Sequence, residues 1–242
     1  MKQRQPGRLA RPLLAEFLGT AFLAAAVIGS GIAAQRTSPG DAGLQLLENA
    51  IATGTALVAM VFALGPVSGA HLNPVVTMAD WMCGGVRGRV GLLYCAAQLA
   101  GGAIGAIVAN AMFGLPALEV ASKPRWGPGL WIGELVATFG LVLVIFSVVR
   151  ARRASVAPVV VGAYITAAYW FTSSTSFANP AVTLARTISD TFAGIAPGSV
   201  PPFLAAQLVG ALLATGAVVL LHPRVGEVAG QIVVPHEAEA AG

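Results

Sequence analysis

The sequence predicts an all-α membrane protein with six transmembrane helices and two re-entrant half-helices in an inverted repeat. Three observations predict it. The 242-residue chain is 56% hydrophobic and only 10% charged, with a mean hydropathy of +0.78, far from the roughly 25% charged residues of soluble domains. Six apolar stretches approach the ~20 residues needed to cross about 30 Å of hydrocarbon. The string Asn-Pro-x-Val-Thr-x-Ala occurs twice, starting at Asn73 and at Asn179, once in each apolar half.

The first span runs near 12–34. It follows Lys2, Arg4, Arg8 and Arg11, and no small-residue cleavage site precedes a polar domain, so it reads as a retained helix. Further spans lie near 45–67, 89–112, 130–150, 156–174 and 202–221. Two segments, about 74–82 and 180–189, are too short to span and follow the Asn-Pro pairs. Asn at an N-cap satisfies orphan backbone N–H groups, and Pro fits the first helical position. A helix that starts there inside a bilayer must end within protein, not lipid. Gly101-x-x-x-Gly105, Gly54, Gly162 and Gly210 supply small faces for close helix contact. Cys83 and Cys95 have neither metal-site nor disulfide-framework spacing and read as packing residues. The organisation expected is a cytoplasmic segment 1–11, a channel domain 12–222 with repeats of about 12–113 and 129–222, and a polar tail 223–242.

Charge sets the orientation. Lys2, Arg4, Arg8, Arg11, Arg87, Arg89, Arg150, Arg152, Arg153 and Arg224 fall on one side of the predicted spans, and Arg36, Lys123, Arg125 and Arg186 on the other. The positive-inside rule then puts both termini in the cytoplasm of a multi-pass protein, which an even number of spans permits.

The halves match beyond the Asn-Pro motif. Glu16-x-x-x-Thr20 pairs with Glu134-x-x-x-Thr138, and Ala97-Gln98-Leu99 with Ala206-Gln207-Leu208, at offsets of 118 and 109 residues against 106 for the motif. A three-span unit repeated once enters the membrane from opposite sides and shares a site near the midplane. At that site each Asn oxygen caps its own helix and leaves the side-chain NH2 to donate to a solute, while the two half-helix N-termini oppose cations. Capping alone is the ordinary reading of one Asn-Pro, but duplication in equivalent places favours a pore. The pore motif comprises Asn73, Pro74, Val75, Asn179, Pro180 and Ala181.

Through Ser68-Gly69-Ala70-His71-Leu72-Asn73-Pro74-Val75 and Ser176-Phe177-Ala178-Asn179-Pro180-Ala181, the chain resembles the aquaporin and aquaglyceroporin (major intrinsic protein) family over about residues 10–222. Val75 stands where the family usually has Ala. The resemblance implies a homotetramer of complete pores in a cell membrane, here a bacterial inner membrane. It also implies a constriction at positions counted from the two Asn residues: Thr53, Ala167, Ser176 and Val182. The family's aromatic residue and arginine are absent there, which predicts a wider, less polarised filter. The function expected is passive passage of small neutral solutes: glycerol-like polyols, hydroxylated metalloids such as arsenite, and water. Bacterial members with similarly open filters are linked to arsenic handling.

Four other residues carry alternatives. Arg186, one turn beyond Val182, is either an outer-vestibule cation or, as the preferred reading, a surface partner of Asp190 at i,i+4; its first-half counterpart is Asp80. His71 matches a family position on the cytoplasmic half of the pore, with static lining preferred to gating. Glu16 and Glu134 are carboxylates inside spans. The resemblance implies that they hold the re-entrant loops; a proton-coupled secondary transporter that uses them is the alternative function. His222 and His236 show no ligand spacing. With no nucleotide loop, catalytic triad or metal cluster, neither an enzyme nor a cofactor is expected, and nucleic acid is not a partner.

Overall fold

The computed structural model describes residues 9–151 and 153–222. The expectations placed on Lys2, Arg4, Arg8, Arg152, Arg224, His236 and the 223–242 tail lie outside the described residues.

Six helices are long and apolar enough to span a bilayer. They are α1 (Ala10–Thr37), α2 (Ala42–Ser68), α4 (Gly88–Met112), α5 (Pro128–Arg150), α6 (Ala157–Phe171, preceded by a 3-10 turn Ala154–Val156) and α8 (Val200–Leu221). Between them sit the short helices α3 (Pro74–Met82) and α7 (Pro180–Ala185). Asn73 and Asn179 cap these helices in extended conformation with Pro in the first turn, as the Asn-Pro pairs predict.

The second half-helix is shorter than the expected 180–189: it passes into a 3-10 turn at Arg186–Ile188. The reason lies in its carbonyls. Those of Arg186, Thr187 and Ile188 accept from the amides of Ile195, Ala121 and Glu119, so loop segments replace the next helical turn.

The packing repeats with the sequence. Helix α1 packs on α2 and α4 as α5 packs on α6 and α8. Helix α3 reaches across to α8, α7 reaches across to α4, and the two half-helices touch. The closest approach in each half depends on glycine. A Cβ at Gly101 would fall on the Phe17 carbonyl oxygen, and one at Gly210 would lie 2.5 Å from the Leu135 carbonyl oxygen. These are equivalent places, since Gly101 and Gly210 share the 109-residue offset. Small residues let backbones meet where lipid supplies no hydrophobic drive for association. Outward faces carry Phe22, Phe62, Leu92, Ile132, Leu213 and Leu220, all exposed. Hydrocarbon is the solvent that suits such a surface.

Gly210→Val forces α5 and α8 apart and is expected to cost about 1–3 kcal/mol, as overpacking does. Thermal unfolding in detergent should show a lowered Tm for this variant, and no loss for Gly216→Ala, whose added Cβ meets nothing within 4 Å.

Candidate functional site

The two loops before the half-helices have an unusual backbone. Gly69 (φ 83), Ala70 (φ 45) and Leu72 (φ 51) in the first loop correspond, 106 residues on, to Thr175 (φ 63), Ser176 (φ 49) and Ala178 (φ 47). Five of these six are L-residues in the left-handed region, at a cost of order 1–3 kcal/mol each. Only Gly69 is signalled by its residue type.

Two carboxylates hold these loops. Glu16 accepts from the His71 amide (3.0 Å), the Leu72 amide (2.7 Å) and the Ser68 hydroxyl (2.6 Å). Glu134 accepts from the Phe177 amide (2.8 Å) and the Ala178 amide (3.0 Å). Gln98 and Gln207 extend each arrangement, donating to the carboxylate (2.7 and 2.6 Å) and to the hydroxyls of Thr77 and Thr183 (3.0 and 2.9 Å). Those threonines donate in turn to the carbonyls of Asn73 and Asn179. Sequence reading gave Thr77 and Thr183 no role, although both belong to the repeated string.

The Asn side chains meet across the two halves. Asn73 Oδ1 accepts from the Val75 amide (3.0 Å), and Asn179 Oδ1 from those of Ala181 (3.0 Å) and Val182 (3.3 Å). Asn73 Nδ2 donates to the Ala178 carbonyl (2.7 Å), and Asn179 Nδ2 to the Leu72 carbonyl (2.8 Å). The expectation that each NH2 is wholly free is therefore corrected. One of its two N–H groups ties the opposite loop, which leaves one donor beyond that bond on each side chain. Pro74 and Pro180 start the half-helices, and Val75 and Ala181 are buried beside them.

A cavity runs past both Asn residues. It is lined by His71, Asn73 and Val76 from the first half, by Thr53, Tyr169, Ser176, Phe177, Asn179, Val182 and Arg186, and by aliphatic side chains such as Leu57, Val61 and Ile145. Thr53, Ser176 and Val182 are thus together on one cavity. Ala167 is not: it lies on the exposed face of α6. Val161, Ile165 and Tyr169, one turn apart, face inward instead. The inward residue lies ten positions before Asn179, not twelve, because the inward face of α6 runs through Val161, Ile165 and Tyr169 and Ala167 is off that phase. Tyr169 supplies an aromatic ring and donates to the Thr53 hydroxyl at 3.1 Å. The i, i+4, i+8 apolar spacing was the available signal for it. The Ser176 hydroxyl oxygen makes no hydrogen bond to protein.

Arg186 is 2% exposed, so its reading as a surface partner of Asp190 is overturned. Asp190 instead accepts from the Ser122 amide (2.8 Å) and hydroxyl (3.0 Å). The Arg186 guanidinium lies 3.4 Å from the Phe177 ring centroid, and its Nε donates to the Ala193 carbonyl. Its counterpart Asp80 is also 2% exposed and lies 3.5 Å from His71 Nε2. His71 and Phe177 share the same 106-residue offset, so each half places a buried charge against a ring two residues before its Asn. The charges are opposite: Asp with imidazole, Arg with phenyl. His71 Nδ1 also bonds the Thr77 hydroxyl (3.1 Å), and its ring meets Tyr94 edge-on at 5.4 Å.

Two more cations stand beside Arg186. Arg125 donates to the carbonyls of Gly194 (2.9 Å) and Phe192 (3.2 Å) and lies 4.9 Å from the Phe177 centroid. Burial pulls its pKa down to about 10, against the opposing pull of Glu134 and Tyr169. Lys123 donates to the Phe192 carbonyl (3.0 Å). Burial first, then the charges of Arg125 and Arg186, lower its pKa to about 8. Among the described residues no group of three His, Cys, Asp or Glu side chains is placed to hold a metal ion.

Six spanning helices, two half-helices joined through reciprocal Asn bonds and a cavity threaded between them have the architecture of a membrane channel. The sequence profile described as "Major intrinsic protein" matches residues 4–178. The chain is 51% identical over 206 residues to the aquaglyceroporin AqpS of Rhizobium meliloti, covering 85% of this chain and 88% of that one. It is 33% identical over 235 residues to the aquaporin AqpM of Methanothermobacter marburgensis, covering 85% and 95%. The X-ray structure of the aquaglyceroporin from Plasmodium falciparum superposes with a TM-score of 0.66 at 21% identity, covering 90% of this chain and 98% of that one. The chain belongs to the major intrinsic protein family.

Glu134→Leu strands the Phe177 and Ala178 amides and the Gln207 amide group, at roughly 1–3 kcal/mol for each buried group left unsatisfied. The expected result is a markedly lowered Tm in detergent, with a smaller loss for Glu134→Gln, which keeps one acceptor oxygen.

Proposed function

We propose that the chain is a passive channel for small neutral solutes, taking glycerol-like polyols and hydroxylated metalloids such as arsenite, with water as a further permeant. One observation carries this reading: a cavity whose wall is largely aliphatic presents a few unspent polar groups in sequence along its length. Small pockets that orient hydroxylated ligands have this composition. The Ser176 hydroxyl, the second N–H of Asn73 and of Asn179, and the O–H of Thr53, whose oxygen already accepts from Tyr169, are those groups. Val182 leaves the filter without the guanidinium that would narrow it at that position. Arg186 supplies a guanidinium from one turn further on, beside the Phe177 ring. The relative at 51% identity is itself named an aquaglyceroporin, which supports the polyol class.

The proton-coupled transporter is disfavoured by the carboxylates themselves. Both oxygens of Glu16 and of Glu134 accept hydrogen bonds from the loops and glutamines, and neither residue lines the cavity. His71, wedged between Thr77, Asp80 and Tyr94, reads as a fixed lining residue.

The assembly proposed is a homotetramer in a bacterial inner membrane with both termini cytoplasmic. A complete cavity within one chain, broad apolar outer faces and the excess of Arg on the terminal side support it.

Stopped-flow uptake into proteoliposomes tests the reading. Glycerol uptake should be non-saturating and unchanged by an imposed pH gradient. Val182→Arg should slow it by roughly tenfold or more, the factor that about 1.4 kcal/mol of added barrier gives. Unchanged uptake in Val182→Arg, or uptake that follows the gradient, would overturn it.

A further inference from the structure

Segment 192–194 gathers three positive charges. The carbonyl of Phe192 accepts from Lys123 Nζ and Arg125 Nη2, that of Ala193 from Arg186 Nε, and that of Gly194 from Arg125 Nε. Phe177 lies under two of the guanidinium groups, and the Phe192 ring lies 4.8 Å from Lys123 Nζ. Carbonyl oxygens and ring faces hold these cations without cancelling their charge. Among the described residues none of the three has a carboxylate partner within 4.0 Å; the one such pair is His71 with Asp80. Asp190 is occupied by Ser122, and Glu134, the acid nearest in effect, is committed to the Phe177 and Ala178 amides. Burial first, and this crowding of like charge after it, lower the Lys123 pKa.

The donors are unequal. Arg125, 9% exposed and tied at two nitrogens, contributes field more than contact. Arg186 lines the cavity at 2% exposure; its Nε donates to Ala193 and its face stacks on Phe177, and its two Nη atoms make no protein hydrogen bond among the described contacts. Lys123 is half-buried and uses one of its three N–H groups. A planar fork and an ammonium, tied to the neighbouring carbonyls of Ala193 and Phe192, are the donor types that take a tetrahedral or planar oxyanion.

We propose that Arg186 and Lys123, with Arg125 behind them, form an oxyanion-binding site at the mouth away from the chain termini, where a bound oxyanion obstructs neutral solutes. The obstruction rests on the channel reading above; the binding does not. An anion seated there does not proceed. The wall beyond is largely aliphatic, with Val182, Leu57, Val61 and Ile145 between its few polar groups, and replaces only part of the hydration a charged oxyanion would lose.

Two measurements test this with inorganic phosphate as the probe. The first is glycerol uptake by proteoliposomes of known orientation, with phosphate on one face and chloride at equal ionic strength as control. Millimolar phosphate on the Arg186 face is expected to slow wild-type uptake at least twofold, and on the other face to leave it unchanged. Lys123→Gln should raise the half-inhibitory concentration about tenfold, the loss expected for one charged hydrogen bond, and Arg186→Leu should abolish inhibition relative to its own uninhibited rate. The second is binding of radiolabelled phosphate to the protein in nanodiscs, expected at one per chain and weakened by Lys123→Gln. Phosphate binding without glycerol uptake would leave the site standing and sink the channel reading. An adventitious ion only, with binding unchanged in both variants, or glycerol uptake that phosphate on either face leaves unaltered, would overturn the proposal.

Discussion

Irregular backbone cannot lie in hydrocarbon unless its polar groups are satisfied by protein. Everything distinctive about this channel follows from how that constraint is met at Glu16 and Glu134. Each carboxylate accepts from two consecutive loop amides, and those amides point at it because the residues around them take left-handed backbone angles. The hydrogen bonds offset the strain, and the strain sets where the loop ends. It ends at an Asn whose side chain caps the half-helix and reaches the carbonyl of the opposite loop. The carboxylate, the strained loop and the Asn pair therefore act as one unit, and Gln with Thr fixes it to α4 or α8.

The repeat builds this unit twice, so the conduit has near-symmetric halves with asymmetric charge. Position for position, Asp80 faces His71 where Arg186 faces Phe177. Both charges are held one turn beyond the Val that follows each Asn-Pro by two residues, Val76 and Val182. A guanidinium at Arg186 is further from the Asn pair than one at Val182 would be. It leaves Val182 on the cavity with no charge and gathers Arg186 with Arg125 and Lys123 around segment 192–194. In the function proposed above, the middle discriminates by size and hydroxyl content and the rim by charge.

The fold was legible because its signals are periodic and physical. Span lengths, the Asn-Pro caps and the duplicated Glu and Gln each encode one constraint of the bilayer. The site was legible only in part. Thr53, Ser176 and Val182 fall on the cavity when counted from the Asn residues, since rigid helix and loop separate them. Ala167 does not: counting back from Asn179 crosses the non-helical segment 172–179, whereas the phase of Val161, Ile165 and Tyr169 along α6 does not depend on it. Arg186 was misread for a related reason. An i,i+4 pair with Asp190 presumes a continuing helix, and α7 stops at Ala185 once loop amides claim the next carbonyls. The strained loop backbone left no trace in residue type except at Gly69.

The central claim is that solute passes along the cavity between Tyr169 and Val182, not elsewhere in the bundle. Block of solute flux by a small thiol-reactive reagent, in a background with Cys83 and Cys95 replaced by Ala, tests it most directly. Val182→Cys and Tyr169→Cys should be blocked by the reagent, and Ala167→Cys, on the exposed face of α6, should conduct unaltered. Block at Ala167→Cys with unaffected flux through Val182→Cys would contradict the account.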